Sequence, residues 1–342
     1  GLNSIRDAIR DSMNIITAKC MAEVTPQVGF DYLTIMGFTT LVDRKVGSDG
    51  TVYSDIQQSL CLGGITNGVT NLELTAGYSS IANNGTYNKP HLYTKIVDHE
   101  GNVLIESQVE TQQVMKDTTA WLLSNAMKDV VSSGTAKAAQ LSTPMAVAGK
   151  TGTTSNNYDH WFVGFTPYYT AGIWCGYDSN RSFSSGGLEK KLWANIMDAV
   201  NANKQLENKD FATNDAIVSA SICKKCGKLA IRDVCDKDPR GTMIRTEYYT
   251  KGTEPTENCD CHTAVTICKA SGLPATEYCP EETTETKIYI KRPDGSKGTT
   301  ADTKYEMPKD FADKRCNIHT SRVSSPPEQL ENQTVASDQV EP

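Results

Sequence analysis

Four consecutive residues, Lys150-Thr151-Gly152-Thr153, combine a cation, a bare backbone position and two hydroxyls. On a strand, Lys150 and Gly152 would share one face and Thr151 and Thr153 the other. Lys150 then sets a positive charge beside any negative charge that develops in a reaction. Gly152 lets an extended ligand lie against the backbone. Thr153 offers its N–H to an oxyanion and its hydroxyl to a carboxylate. The set suits acyl transfer from a peptide-like substrate. Far upstream, a second polar trio, Ser12-Met13-Asn14, interrupts the helical spacing of Ile5, Ala8, Ile9, Met13 and Ile16. The tetrad by itself also fits a plain turn at a sheet edge, so the reading depends on the elements around it.

Those elements follow from periodicity. Residues 71–85 read as a helix with Asn71 near its start and Gly85 past its end. A strand–turn–strand follows, with Glu100-Gly101 at the turn. The segment 116–134 is the clearest helix: Asp117 is its candidate N-cap, Leu122, Leu123, Ala126, Met127, Val130 and Val131 form one stripe, and Gly134 closes it. From residue 146 the period becomes two. "MAVAGKTGT", "HWFVGFT" and "YTAGIWCGY" read as an antiparallel meander, and 186–204 as a closing helix. Helices, then an antiparallel sheet, then a packed helix give an α+β layered architecture.

The 342 residues carry a net charge of −7 and 38% apolar residues, enough for two folded regions and unfavourable for nucleic acid. No apolar run reaches 18 residues, the chain begins with Gly1, and it reads as part of something longer. Of eleven cysteines, Cys20, Cys61 and Cys175 are scattered, and the other eight fall between Cys223 and Cys316. There an internal repeat sets "ICKKCGKLAIRDVC" (222–235) against "ICKASGLPATEYC" (267–279). Cys223 matches Cys268 at an offset of 45, and Cys235 matches Cys279 with one residue deleted. Two readings stand for this region: a zinc site drawing on Cys223, Cys226, Cys259, Cys261 and His262, or disulfide-closed loops. The second copy replaces Cys226 with Ser271 but keeps the outer pair, which favours disulfides Cys223–Cys235 and Cys268–Cys279. The expected divisions are 1–207, a Cys-rich region 208–285, and a polar, disordered tail 286–342.

Five blocks carry a resemblance: "DAIRDSMNIITAK", "GGITNGVTNLELTAGYSSIANNGTYNKPH", "VMKDTTAWLLSNAMKDVVSSGTA", "VAGKTGTTSNNYDHWFVGFTPYYTAGIWCGYD" and "LWANIM". In unbroken order over residues 1 to about 205, they resemble the transpeptidase domain of class A penicillin-binding proteins. The resemblance implies the penicillin-binding protein/serine β-lactamase-like fold, N-terminally truncated. It also implies three active-site motifs, Ser-x-x-Lys, Ser-x-Asn and Lys-Thr-Gly. Ser12-Met13-Asn14 matches the second and Lys150-Thr151-Gly152 the third. The first departs from the pattern: a lysine three residues after a serine occurs only at Ser221-Ile222-Cys223-Lys224, after Lys-Thr-Gly and inside the repeat. The nucleophile is therefore expected in an absent N-terminal part.

By the same resemblance, Ser12 relays a proton to the leaving D-Ala nitrogen and Asn14 holds the donor peptide's amide. Lys150 sustains the proton network, and Thr153 binds the terminal carboxylate and supplies half of an oxyanion hole. Thr151 and Gly152 complete the substrate edge. The implied partners are peptidoglycan stem peptides and β-lactam antibiotics, with no cofactor and no catalytic metal. A membrane anchor and a glycosyltransferase domain would lie upstream, and this part would face outside, where disulfides can form. Two rivals share the fold: a non-catalytic sensor, and a β-lactamase with Glu73 as its deacylating acid.

Overall fold

The computed structural model describes residues 3–291 and 302–321. The chain divides into two compact units. The larger comprises Leu2–Leu229 and Arg245–Glu257, so it runs past the expected boundary at 207. The smaller takes Ala230–Ile244 and the described part of Asn258–Pro342.

The larger unit holds six helices among the described residues: α1 (Ile5–Asp11), α2 (Asn14–Val24), α3 (Pro26–Ile35), α4 (Asn71–Ala82), α5 (Asp117–Ser132) and α6 (Leu188–Asn203). Six short strands form hairpin-like pairs or ladders, β1 (Lys45–Val46) with β2 (Val52–Tyr53), β3 (Thr86–Asn88) with β6 (Thr111–Gln113), and β4 (Lys95–Val97) with β5 (Val103–Glu106) across a turn at Gly101. The central meander is β7 (Ala148–Thr153), β8 (Asp159–Phe165) and β9 (Thr170–Gly176), antiparallel in the order β7-β8-β9. The expected meander, the strand–turn–strand and the helices near 71, 117 and 188 are all present. Residue 117 is a difference: Lys116 occupies the N-cap with no side-chain hydrogen bond, and Asp117 is the first helical residue.

The central strand β8 is buried on both faces from Phe162 onward, which is why Phe162, Val163, Gly164 and Phe165 run apolar without alternation. Phe162 meets Trp193 of α6 edge-on at 5.2 Å and clusters with Ala194, Met197, Val130 and Val131. Phe165 lies instead with Met127 of α5, Ala148, and Tyr78 and Ile81 of α4. Trp193, Phe162 and Phe165 are fully buried, each removing a large apolar area from water. Trp174 of β9 is 37% exposed and donates its indole N–H to Asp159 at 2.9 Å.

The internal repeat is structural. β10 (Ile217–Cys223) pairs with β11 (Ile244–Thr250), and β12 (His262–Cys268) pairs antiparallel with β13 (Thr284–Ile290). After each first strand the chain folds back identically, with the Cys223 N–H on Lys228 O at 2.8 Å and the Cys268 N–H on Leu273 O at 2.9 Å. β13 crosses the expected boundary at 285. Part of the expected tail is ordered as well: the chain at 302–321 packs Phe311 edge-on against Tyr289 at 5.7 Å and donates Cys316 N–H to Pro274 O at 2.8 Å. Residues 292–301 and 322–342 of that tail lie outside the described residues.

Candidate active site and cysteine clusters

Ser12 is not on a helix. It terminates α1 in the left-handed region, φ 56° and ψ 50°, where its own and the next backbone N–H close onto Ile9 O and Ala8 O. A non-glycine residue there carries local strain, which the surroundings must hold. Several contacts do so. Ser4 caps the start of α1 by accepting from the Asp7 N–H at 3.1 Å. Arg6 donates to both oxygens of Glu247 on β11, at 2.8 and 3.0 Å from Nε, and reaches Asp129 of α5 at 3.3 Å. Arg245 of β11 reaches Asp7 at 2.9 Å and Ser4 at 2.8 Å. At the C-terminal end, the Thr135 N–H meets Arg10 O at 3.3 Å. Gly134 permits that approach: a Cβ there would stand 2.4 Å from Arg10 O. Its expected role as a simple helix stop thus becomes close packing of α5 against α1.

This scaffold brings Ser12 to the strand. Lys150 Nζ donates to Ser12 Oγ at 2.7 Å and to Thr151 O at 3.1 Å. Lys150 is half-buried on β7, and burial pushes its pKa down from 10.5 to about 8. An amine poised there can exchange a proton with a neighbouring hydroxyl near neutral pH. Thr151 Oγ1 is 2.8 Å from Thr135 Oγ1, tying β7 to the turn after α5. Gly152 pairs with Trp161, and a Cβ on it would come within 3.2 Å of the Trp161 Cβ. Thr153 ends the strand exposed, opposite His160. β7 is the edge of its sheet, so a backbone row is open to an extended ligand. Asn14 begins α2 with an exposed side chain, close in sequence to Ser12 but outside the Lys150–Ser12 pair.

Two other residues resolve to structural roles. Glu73 receives the N–H and hydroxyl of Thr39 at 3.1 and 2.5 Å, and its own N–H caps onto Thr70. Burial works to raise its pKa, but these bonds outweigh it and lower it. It is a helix-start anchor. His160 holds the Phe183 carbonyl at 3.1 Å. Ser221 sits exposed on β10, away from any helix start. A concavity of about 230 Å³ lined by Trp121, Asn125, Lys128, Asp210 and Tyr248 contains none of the motif residues.

The described residues include all eleven cysteines, and none is closed into a disulfide. The expected Cys223–Cys235 and Cys268–Cys279 bridges are not formed in this structure. Three of these sulfurs face backbone amides of their own turns: Lys225 N to Cys223 at 3.4 Å, Ile231 N to Cys235 at 3.3 Å, Thr276 N to Cys279 at 3.4 Å. In the smaller unit, Cys259 Sγ, Cys261 Sγ and His262 Nδ1 lie 3.3–3.5 Å apart. The far nitrogen of His262 meets Asp238 at 2.7 Å, both side chains fully buried. Arg240 in turn clamps Asp238 at 2.7 Å. Sequence reading placed Cys259, Cys261 and His262 in a metal set but missed Asp238, which lies 24 residues from its partner. A second cluster, Cys268, Cys279, Cys316 and His319, drew no attention in the sequence because two members lie in the polar tail.

Residues 1–198 match the penicillin binding protein transpeptidase domain, and 213–264 match the penicillin-binding protein 1A C-terminal domain. The chain is 30% identical over 310 residues to penicillin-binding protein 1A of Clostridium novyi, covering 90% of this chain and 34% of that one. It is 31% identical over 295 residues to the protein of that name from Clostridium botulinum, covering 85% and 34%. The chain thus spans about a third of the length of these relatives. Among solved structures, penicillin-binding protein 1A from Haemophilus influenzae superposes with a TM-score of 0.60 at 20% identity, over 75% of this chain and 41% of that one. PonA1 from Mycobacterium tuberculosis in complex with penicillin V gives 0.52 at 24%, over 61% and 58%. At those identities the two structures show a shared fold.

Proposed function

This chain belongs to the penicillin-binding protein transpeptidase family, and from that premise we propose that it carries the donor side of a D,D-transpeptidase site that crosslinks peptidoglycan stem peptides. The observation that carries this is the 2.7 Å contact of Lys150 Nζ with Ser12 Oγ beside the open edge of β7. A stem peptide ending in D-Ala-D-Ala lies along β7, its terminal carboxylate at Thr153 and its penultimate carbonyl near the Thr153 N–H. Gly152 keeps the strand surface low there, and Thr151 fixes the strand to the turn at Thr135. Asn14 holds the donor's amide.

The attacking serine, from a Ser-x-x-Lys segment outside these 342 residues, gives its hydroxyl proton to the lysine of its own motif and bonds to the penultimate D-Ala carbonyl carbon, and the C–N bond then breaks. Ser12 passes a proton to the departing D-Ala nitrogen, and Lys150 replenishes and electrostatically supports Ser12. An amine of a neighbouring stem then takes the acyl group and frees the serine. Penicillins enter as strained mimics of the D-Ala-D-Ala amide. An anchor and a glycosyltransferase domain belong to sequence outside this chain and place the site on the outer face of the membrane. Among the described residues no helix is long and apolar enough to cross a membrane.

The test is labelling with a fluorescent penicillin. The isolated chain should stay unlabelled, and the full-length enzyme should label and crosslink stem peptides. Stoichiometric labelling of the isolated chain would put the nucleophile here and overturn the assignment. Labelling of the full-length protein without crosslinking would make it a sensor.

A further inference from the structure

We propose that Cys268, Cys279, Cys316 and His319 are the ligands of a structural zinc ion, bound by three thiolates and the Nδ1 of one imidazole. Their ligand atoms all lie within 4.8 Å of one another. His319 Nδ1 stands 3.4 Å from Cys268 Sγ and 3.6 Å from Cys316 Sγ. Tetrahedral zinc, with sulfur at roughly 2.3 Å and nitrogen at roughly 2.0–2.1 Å, sets such atoms about 3.5–3.8 Å apart. The two His319 edges of the cluster, 3.4 and 3.6 Å, already match that polyhedron.

The chain builds the site from three pieces of one unit. Cys268 ends β12 and enters a tight turn closed by the Gly272 N–H on Cys268 O at 2.8 Å, with Gly272 at φ 69°. Cys279 follows a second turn, its N–H on Thr276 O at 3.1 Å. Cys316 and His319 come from beyond β13 and are docked on the first two turns. Cys316 N–H reaches Pro274 O, and Thr276 Oγ1 donates to His319 O at 3.1 Å. Backbone amides face the sulfurs, Thr276 N on Cys279 at 3.4 Å and His319 N on Cys316 at 3.5 Å. Amides so placed stabilise thiolate charge and orient the ligands.

A Cys268–Cys279 disulfide would account for two of these groups and give no reason for Cys316 and His319 to converge on them. Zinc accounts for all four. Three soft thiolates and one imidazole in a closed set with no carboxylate select zinc over calcium or magnesium, and leave no open position for catalysis. The replacement of Cys226 by Ser271 in this copy ceases to argue against metal, because the missing ligand is made good from downstream. Binding releases the three thiol protons to solvent and converts separate turns into one cross-linked module.

The test uses the full chain, purified with reductant and zinc, then passed through gel filtration and assayed for metal. His319→Ala and Cys316→Ser should each hold one equivalent of zinc fewer than wild type. His319→Cys, which restores a four-ligand set, should hold the wild-type amount, so a general folding defect in His319→Ala is distinguished from loss of a ligand. Cobalt loading of wild type should give the visible absorption of tetrahedral thiolate coordination, weakened in His319→Ala. Unchanged zinc content in both ligand variants would overturn the site. So would a Cys268–Cys279 disulfide found by non-reducing peptide mapping of zinc-free protein exported to its native compartment.

Discussion

The β7–β9 region and the cysteine repeat solve the same problem, holding a few polar side chains in place, by opposite means. Around Lys150, order comes from apolar burial: Phe162, Phe165, Trp193 and Met197 fill the space between sheet and helices. In the smaller unit the buried large apolar side chains among the described residues are Met243, Ile267 and Ile288, and cysteines make up the rest of the buried apolar set. A region so thin in hydrocarbon cannot offset its chain entropy by burial. The contrast teaches that the first site is held by a core that would exist without it, whereas the second cluster is itself the core.

The largest test of that contrast is metal removal. Structural zinc binding in small finger domains is worth about 10–16 kcal/mol, so chelation should abolish hydrogen-exchange protection in β12 and β13 and leave β7–β9 protected. Equal protection before and after would erase the distinction. Next, Trp193→Ala should cost about 3–5 kcal/mol, as large aromatic deletions in cores do, and lower the unfolding midpoint of the larger unit without changing zinc content.

Lys150→Ala in the full-length enzyme should slow penicillin acylation about 10²–10³-fold, the usual loss of one donor aimed at developing charge, with the fold intact by circular dichroism. Near-normal acylation would return Lys150 to a plain sheet-edge role. Smaller still, Glu247→Ala should cost about 2 kcal/mol by leaving the Arg6 guanidinium short of a charged partner. It should also slow acylation, although Glu247 lies outside residues 1–198, because α1 carries Ser12. Unaltered acylation kinetics there would separate α1 anchoring from the site.

The smallest effect is a slope. Since burial lowers the Lys150 pKa from 10.5 to about 8, the unfolded chain binds more protons than the folded one between those values. The Lys150 contribution to stability therefore rises as pH climbs from about 8 to 10.5, and the penalty is fully present below 8. Lys150→Ala should flatten the stability profile across that window in denaturant titrations. Identical profiles would mean that Lys150 is solvated.

Much of the architecture was legible without coordinates. The period-two runs became β7, β8 and β9, the stripe from Leu122 to Val131 became α5, and the offset of 45 became two copies of one strand-and-turn unit. Ser12 ends α1 rather than lying within a helix, because an apolar period carries no mark of a left-handed serine, which the tertiary contacts of α1 with α5 and β11 hold in place. The disulfide expectation missed the second cluster for a related reason. It weighed cysteines within each copy, and the ligands that complete the second cluster arrive from a segment whose polarity reads as tail.

What the sequence determined alone was local: residue types, spacing, and the side of a strand on which each side chain stands, since backbone geometry ties these to short stretches of chain. Only the tertiary structure decided the meetings. Lys150 reaches Ser12 across 138 residues, Arg6 reaches Glu247 across 241, and Cys268 reaches His319 across 51. Such pairs are set by which elements pack together and by the rotamers that packing leaves open. That information resides in no single segment, because it depends on buried surfaces assembled from many.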